Sequence, residues 1–377
     1  MSSAAEAIPA AAPFAAPPSL ASPPPPTARS PWLVSPWFDL LFLANLGWPL
    51  LAALQGYFGD AVAEGIGFWA MYMLVTPHRW ITLGLVFLDG ERFQQRWSAY
   101  TLILVAAAAF VFSLASMELI YVVLMIDYLW NAWHFAAQHS GIGRIYGRIA
   151  RPDLSGAALL EKILLRAFVF YVILRLALPL MFARQAVGAL AQMDQPHWTD
   201  PLAGALGWLY RPDWKSMLQP LDLPMLVLPL ILLAREIPGF SRAALGRVIY
   251  LSSVCVLYSS ILLFAHFGPH STTLNSWQGG LLLGLMFFHS TEYLAIVSWS
   301  VHKRQARSKS AIFGYLVPRW GMALMIYMAV LGMSAWMIEQ RFTAQWVAIT
   351  MLVSFLHYAY DGMIWKVRRP ASAAAVS

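Results

Sequence analysis

Charged residues and cysteine are scarce in this chain of 377 residues, and each scarcity excludes a class of protein. Only 11% of the residues are charged, whereas a soluble globular domain has about a quarter. The single cysteine, Cys255, has no partner, so a disulfide-stabilised secreted domain is excluded. The sequence also has no glycine-rich dinucleotide fingerprint and no cysteine cluster for an iron–sulfur centre. Any redox activity would therefore need a separate electron donor.

Apolar runs, by contrast, are long and numerous. Hydrophobic residues make up 59% of the chain, and several apolar runs of about 20 residues are long enough to cross about 30 Å of hydrocarbon. These runs predict an all-α integral membrane protein, a polytopic bundle of about ten transmembrane helices. The predicted helices cover residues 37–58, 62–88, 99–115, 117–139, 159–184, 220–236, 247–267, 277–300, 312–338 and 343–366.

Basic residues occur in alternate loops between the predicted helices. They follow the second, fourth, sixth, eighth and tenth helices, as Arg92 and Arg96 do after the second, whereas the other loops have few. This alternation is what the positive-inside rule predicts for an even number of spans with both termini in the cytoplasm. We therefore expect a multi-pass protein of the bacterial inner (cell) membrane with cytoplasmic N- and C-termini. The net charge of +7 arises from these loops and does not indicate a nucleic-acid partner.

Both ends of the chain and one long connection differ from the helices. Residues 1–31 are rich in alanine and proline, which cannot form a continuous helix or an apolar core. We expect a disordered N-terminal tail there, a transmembrane domain at 32–369 and a short C-terminal tail at 370–377. The connection at 185–219 contains several tryptophans, which predict an external loop lying at the membrane interface.

Five of the nine histidines are expected to lie on one side of the membrane. His266, His270 and His197 lie toward the outer side in the predicted topology, and His302 lies in a basic cytoplasmic loop. The remaining five come from four predicted helices and fall at or within the cytoplasmic half: His78, His134, His139, His289 and His357. Ionisable groups inside a membrane span usually face the bundle interior and find partners there.

Polar residues accompany one of these histidines at helical spacing in the stretch DYLWNAWHFAAQHSG, residues 127–141. At about 100° per residue, four of its side chains fall within roughly 60° of one another. They are Asp127, Asn131, His134 and Gln138. His139 would lie off this stripe in a continued helix, but a helix end at Ser140-Gly141 could turn its ring back toward the stripe.

Carboxylates stand beside two of the other histidines. Glu292 follows His289 by three residues and Asp361 follows His357 by four, a spacing that lets both side chains approach one metal ion. Imidazole and carboxylate together suit iron, manganese or zinc better than copper(I). Because the donors exceed the needs of one ion, we predict a site for two irons. Its predicted ligands are His78, His134, His139, His289, Glu292, His357 and Asp361.

Further polar side chains are expected to support these ligands. The predicted supporting residues are Asp127, Asn131, Gln138 and Tyr293. Asp127 would orient His134 or pair with Arg175 of the fifth predicted helix. Arg79, beside His78, and Arg319, in the ninth predicted helix, could hold the acidic head group of a substrate.

These features predict a membrane-embedded non-haem iron enzyme, an oxidase, hydroxylase or desaturase acting on a lipid-like or hydrophobic substrate from the bilayer. Three alternatives use the same residues: an intramembrane zinc hydrolase, a b-type haem protein and a proton- or ion-coupled transporter. The close-set histidine boxes of membrane desaturases are missing, since HFAAQH has four intervening residues and no two histidines are adjacent. The related halves typical of many transporters are also missing from the sequence.

Overall fold

The computed structural model describes residues 30–117, 119–150, 157–176, 214–238, 240–268, 276–305 and 315–365. These residues are almost entirely helical and contain no strand, which confirms the predicted all-α class. In chain order the helices are α1 Pro36–Phe38, α2 Trp48–Phe58, α3 Asp60–Ala70, α4 Thr76–Phe87, α5 Gly90–Gln95, α6 Trp97–Ser116, α7 Ile120–Ala150, α8 Ala157–Arg175, α9 Trp214–Met225, α10 Val227–Ala234, α11 Leu245–Phe267, α12 Ser276–Gln305, α13 Trp320–Arg341 and α14 Thr343–Ile364.

The number of membrane-length helices is smaller than the ten predicted. In the described part of the chain, six helices are long and apolar enough to cross a membrane, or seven if the bent pair Pro36–Leu43 and Trp48–Phe58 forms one span. The second, fourth and fifth predicted spans do not qualify. The second is interrupted by a π-helical segment at Met71–Val75. The fourth corresponds to α7, whose polar stripe lowers its hydropathy, and the fifth to α8, which has several charged residues.

Helix α7 runs without a break from Ile120 to Ala150. The proposed helix end at Ser140-Gly141 is therefore wrong. Ser140 is accommodated inside the helix because its hydroxyl donates to the carbonyl of Ala137 at 3.0 Å, a bond that satisfies a polar side chain in a helical segment. As a result, the ring of His139 stays off the face that carries Asp127 and His134.

The predicted tails and interfacial loop lie largely outside the described residues. Of residues 1–31, only 30 and 31 are described, and none of 370–377 is. Within the predicted loop 185–219, the described part begins at 214 and is already helical, since α9 starts at Trp214.

The largest apolar core lies between α7, α8, α11 and α12, where side chains such as Phe168, Leu257 and Phe288 are fully buried. Helix α4 enters the bundle beside this core. It begins with Pro77 in its first turn, where a proline costs no helical hydrogen bond, and the Pro77 carbonyl accepts from the hydroxyl of Tyr327 in α13 at 2.9 Å. Helices α4, α7, α12 and α14 converge at the depth of the predicted site.

Candidate metal centre

Four helices each bring one histidine to the same buried place. They are His78 of α4, His134 of α7, His289 of α12 and His357 of α14, with exposed fractions of 3%, 7%, 1% and 0%. A single buried histidine in a helical bundle often does no more than hydrogen-bond to a neighbouring helix. The convergence of four from separate helices calls for a shared explanation.

Four pairs of these rings are spaced like imidazoles that bind one ion. The ring centre of His78 lies 5.2 Å from that of His289 and 5.1 Å from that of His357. The ring centre of His134 lies 5.2 Å from that of His289 and 4.6 Å from that of His357. Imidazoles bound to one ion through metal–nitrogen bonds of about 2.0–2.1 Å have ring centres about 4.5 to 5.2 Å apart, for right-angled to tetrahedral arrangements.

A carboxylate adjoins two of these rings. The Nε2 atoms of His134 and His357 are 3.1 Å apart, and Asp361 Oδ2 lies 4.0 Å from the first and 3.9 Å from the second. Two nitrogen donors on one ion are separated by about 2.9 to 3.4 Å at normal bond lengths. The histidine pair already has this separation, whereas the carboxylate needs a small shift to complete it.

The residues therefore form two overlapping groups that could each hold a metal ion. One comprises His78, His289 and His357, and the other His134, His357 and Asp361. In both groups the donor atoms lie within 4.8 Å of one another and every residue is buried. His357 belongs to both groups, so the set forms a single cluster, which we call the His/Asp cluster (His78, His134, His289, His357 and Asp361).

A chain of hydrogen bonds orients His357 and Asp361. The Nδ1 atom of His357 lies 2.7 Å from the Thr82 hydroxyl, which lies 2.6 Å from the Tyr293 hydroxyl. Tyr293 donates in turn to Asp361 Oδ1 at 2.6 Å. With Nδ1–H of His357 as the first donor, every hydroxyl in the chain has a partner. Nε2 then carries the lone pair that a metal requires, the usual second role of a ligating histidine.

Thr82 was not among the residues predicted from the sequence, although a signal was present. It follows His78 by four residues and therefore lies on the same face of α4. Ser290 was also missed, and its hydroxyl lies 3.2 Å from His78 Nδ1. Threonine and serine are too common in membrane helices for such spacing to single them out without the neighbouring helices.

His289 distinguishes the cluster from an ordinary buried hydrogen-bond network. Neither of its ring nitrogens has a hydrogen-bond partner in the described structure, and its ring is stacked on Phe135 at 3.6 Å with an angle of 11°. A buried polar group without a partner costs about 1–3 kcal/mol. A ligand shared with the other histidines would satisfy it, so the donor set fits a metal ion.

His139 and Glu292 lie outside the His/Asp cluster and form a second polar group. His139 Nδ1 is 3.2 Å from the Glu292 carboxylate, and its Nε2 is 3.0 Å from the Tyr258 hydroxyl. Tyr250 donates to Glu292 Oε1 at 2.5 Å, and Gln138 donates to Oε2 at 2.6 Å. Both residues were predicted to be ligands, but neither belongs to the metal-capable groups of the described chain. Their donor atoms are engaged with one another because α7 continues past Ser140.

The other residues predicted from the sequence lie in different surroundings. Tyr293 contacts Asp361, and Gln138 also donates to the His289 carbonyl at 3.0 Å. Asn131 is half-buried on α7. Arg319 is exposed, with its guanidinium 4.6 Å from the ring of Tyr315, so it lies away from the cluster.

Asp127 and Arg79 lie beside the cluster. Asp127 is buried near Tyr358 and Ser354 of α14, and Arg79 donates to the Ser354 hydroxyl at 2.9 Å. The alternative pairing of Asp127 with Arg175 is wrong, because Arg175 binds Asp222 of α9 at 2.9 Å.

A cavity of about 270 Å³ opens next to Arg79. Its walls come from the π-helical segment and the start of α4, from α7 and from the first half of α14, and most of the lining side chains are apolar. Its lining includes Thr76 and Arg79, which flank His78 in sequence, and Trp346 and Glu339. The cavity therefore adjoins the helices that supply the cluster.

The fold and the site together define a class, a helical protein with membrane-length apolar helices and a buried His/Asp group that could hold a metal ion. Comparison with protein-family models, with curated proteins and with solved structures gives no match to this chain. Its function is inferred from the residues of the site alone.

Proposed function

We propose that the protein is a membrane-embedded non-haem iron enzyme that oxidises or hydroxylates a hydrophobic, lipid-like substrate. The observation that carries the proposal is the buried His/Asp cluster, in which two metal-capable groups share His357 and both ring nitrogens of His289 lack a hydrogen-bond partner among the described residues. Such donors, in an apolar interior, make a metal centre to which a substrate can come directly from the bilayer.

One ion suits the arrangement better than the two expected from the sequence. Both metal-capable groups need His357, and its Nδ1 is engaged with Thr82, so only Nε2 is left for a metal. Glu292, the second carboxylate expected to bridge two ions, already binds Gln138 and Tyr250. Because the two groups share Nε2 of His357, only one of them can hold an ion at a time.

The kind of donors favours iron over zinc. Two histidines and one carboxylate are a typical ligand set of non-haem iron(II) oxygenases. The group of His134, His357 and Asp361 offers this set. Iron held by these residues would supply the chemistry for an oxidation by molecular oxygen.

The protein itself would position the substrate and exclude water. The apolar wall of the cavity, which includes Val75, Leu124 and Met351, suits a hydrocarbon chain. Arg79, which follows His78 in sequence, lines the cavity and is held by Ser354, so it can fix a polar group of the substrate. Electrons would come from a separate donor protein, since the chain has no flavin, nicotinamide or iron–sulfur motif.

The haem alternative is disfavoured by the packing of the rings. Two axial histidines of a haem lie on opposite sides of the porphyrin plane, which is far wider than the gaps between these rings. Four ring pairs in the cluster have centres only 4.6 to 5.2 Å apart, so no flat macrocycle fits among them.

We further propose a bacterial inner-membrane location with both termini in the cytoplasm, because basic residues occur in alternate loops.

Metal analysis of the purified, detergent-solubilised protein tests the proposal. We expect about one iron per chain and an optical spectrum without a Soret band. His357→Ala should lose most of the iron, because His357 belongs to both metal-capable groups. His139→Gln should keep it, because His139 lies outside the cluster. His302→Ala, which changes an exposed histidine, is the matched control.

The outcomes separate the rival functions. Nitric oxide added to the reduced iron protein should give a characteristic electron paramagnetic resonance signal if a coordination position is open. One zinc per chain without iron would favour a zinc hydrolase over the proposed oxidase. Loss of metal in His139→Gln would show that His139 is a ligand after all. A wild-type protein without stoichiometric metal would overturn the whole account.

A further inference from the structure

Helices α7 and α8 pack against each other, and we call the line where their outer faces meet the groove. It uses no residue of the His/Asp cluster. Three basic side chains lie on the facing sides of these helices. Lys162 and Arg166 are one turn apart on α8, and Arg144 lies one turn after Ser140 of α7, whose hydroxyl accepts from Arg166. Their like charges also act on one another. Among the described residues, none of the three forms an ion pair with a carboxylate. Glu161, the nearest acid in sequence, is bound instead to Arg247 at 2.7 Å.

The two helices present matching faces along this groove. On α8, residues 159, 162, 163 and 166 follow the spacing of one helix face, which alternates apolar and basic side chains. On α7, Ser140 and Arg144 are four residues apart and Trp133 is two turns earlier, so they too share a face. The resulting groove is basic near the helix ends that lead into residues 151–156 and apolar further along.

Arg166 is held in a defined position within the groove. Its Nε donates to the Ser140 hydroxyl at 2.8 Å, and its guanidinium lies 5.1 Å from the ring of Trp133. Trp133 packs edge-to-face on Phe170 at 6.1 Å. These contacts fix the side chain but leave its two terminal nitrogens available for an anion.

We propose that this groove binds the phosphate of an anionic membrane phospholipid. Arg144, Lys162 and Arg166 would hold the phosphate, and the acyl chains would lie along the apolar part of the groove. Trp133, Leu159 and Ile163 are 47%, 62% and 53% exposed, as expected for side chains that face lipid. Basic pockets between helices on the cytoplasmic side of a membrane protein are typical sites for such head groups.

A role in membrane insertion alone does not account for this geometry. The positive-inside rule requires basic residues near helix ends, but it does not require them to converge. Arg166 lies nine residues inside α8, about 13 Å from its first residue at 1.5 Å per residue. A position near the helix end therefore does not explain Arg166, whereas an anion that bridges the three cations does.

Native mass spectrometry and thermal unfolding of the full-length protein in detergent test the proposal. Phosphatidylglycerol should bind and raise the melting temperature, whereas phosphatidylcholine and inorganic phosphate should do neither. Each removed cation should weaken binding of the anionic lipid by about five-fold. The variants Lys162→Gln and Arg166→Gln remove cations from the groove, and Arg242→Gln removes an exposed basic residue elsewhere.

Equal stabilisation by both lipids would overturn the proposal, as would undiminished phosphatidylglycerol binding in both groove variants. If Arg166→Gln does not fold, Lys162→Gln still decides, because Lys162 makes no side-chain hydrogen bond to another described residue. Stabilisation by inorganic phosphate alone would assign the groove to a soluble anion and also refute the lipid. None of these results depends on the metal content of the protein.

Discussion

His289 and His357 show how different two members of one cluster can be at the scale of single residues. His357 is fixed through Thr82, whereas His289 has only the ring of Phe135 against one face and no hydrogen bond at either nitrogen. An imidazole in that condition destabilises the fold unless a ligand binds it. The unsatisfied nitrogens therefore connect the stability of the bundle to the occupation of the site.

Removing the Thr82 hydroxyl should weaken metal binding without removing a ligand. In Thr82→Val the ring of His357 loses the partner of Nδ1, and loss of such a supporting contact typically lowers metal affinity by about 10- to 100-fold. Thr82→Ser should keep most of the affinity because it keeps the hydroxyl. The measurement is the metal retained after dialysis against increasing chelator concentrations.

Thr350→Val is the matched control for this substitution. Thr350 is also on the inner side of the bundle, but its hydroxyl has no hydrogen-bond partner in the described structure. Its removal should leave metal binding unchanged. Unchanged retention in Thr82→Val as well would show that the hydrogen-bond chain does not support the site.

At the scale of helices, the site depends on how closely the elements around it approach one another. Helix α12, which carries His289, packs along α2, and Gly280 makes this contact possible. A Cβ atom at Gly280 would lie 2.6 Å from the Ala52 carbonyl oxygen and 3.0 Å from its Cα. Small residues at such crossings are the usual means of close helix packing in membranes.

Gly280→Ala should therefore destabilise the protein despite the higher helix propensity of alanine. Overpacking at a tight contact costs about 1–3 kcal/mol. Gly141→Ala is the control, because a Cβ there meets nothing within 4 Å and the helix gains up to about 1 kcal/mol from the substitution. Denaturant unfolding in detergent micelles should show opposite shifts in the free energy of unfolding. A neutral or stabilising Gly280→Ala would mean that α2 and α12 are less closely packed.

At the scale of the whole molecule, orientation decides from which side the metal site is reached. Under the proposed topology, the segment between α5 and α6 is cytoplasmic and the turn between α13 and α14 is external. Gln95, the last residue of α5, and Ala344, in the first turn of α14, border these segments and are exposed. The native Cys255 is only 2% exposed. The chain is thus suited to cysteine labelling, with little background from its own thiol.

We expect Ala344→Cys to react with a membrane-impermeant thiol reagent added to intact cells. Gln95→Cys should react only after the membrane is opened, since the basic loop that contains it faces the cytoplasm. The unsubstituted protein controls for Cys255. The reverse pattern would invert the topology, and labelling of both positions from outside would refute an odd number of spans between them.

The sequence by itself determined the class of the protein and most of the His/Asp cluster. Long apolar runs indicated a helical membrane protein. Because burying an ionisable group costs free energy, His78, His134, His289 and His357 were expected to find partners inside the bundle. The four-residue spacing of His357 and Asp361 placed both on one helix face. These inferences need only local geometry and the energetics of burial, which a sequence carries.

Only the tertiary structure decided which of the polar residues belong together. His139 and Glu292 had the right residue types and depth, but the unbroken α7 turns His139 toward Tyr258, and Glu292 is bound to Tyr250. The contact between Thr82 and His357 joins two residues that are 275 positions apart in the chain and lie on different helices. A sequence gives the angle of each side chain about its own helix, whereas the rotation and depth of one helix against another are set by packing.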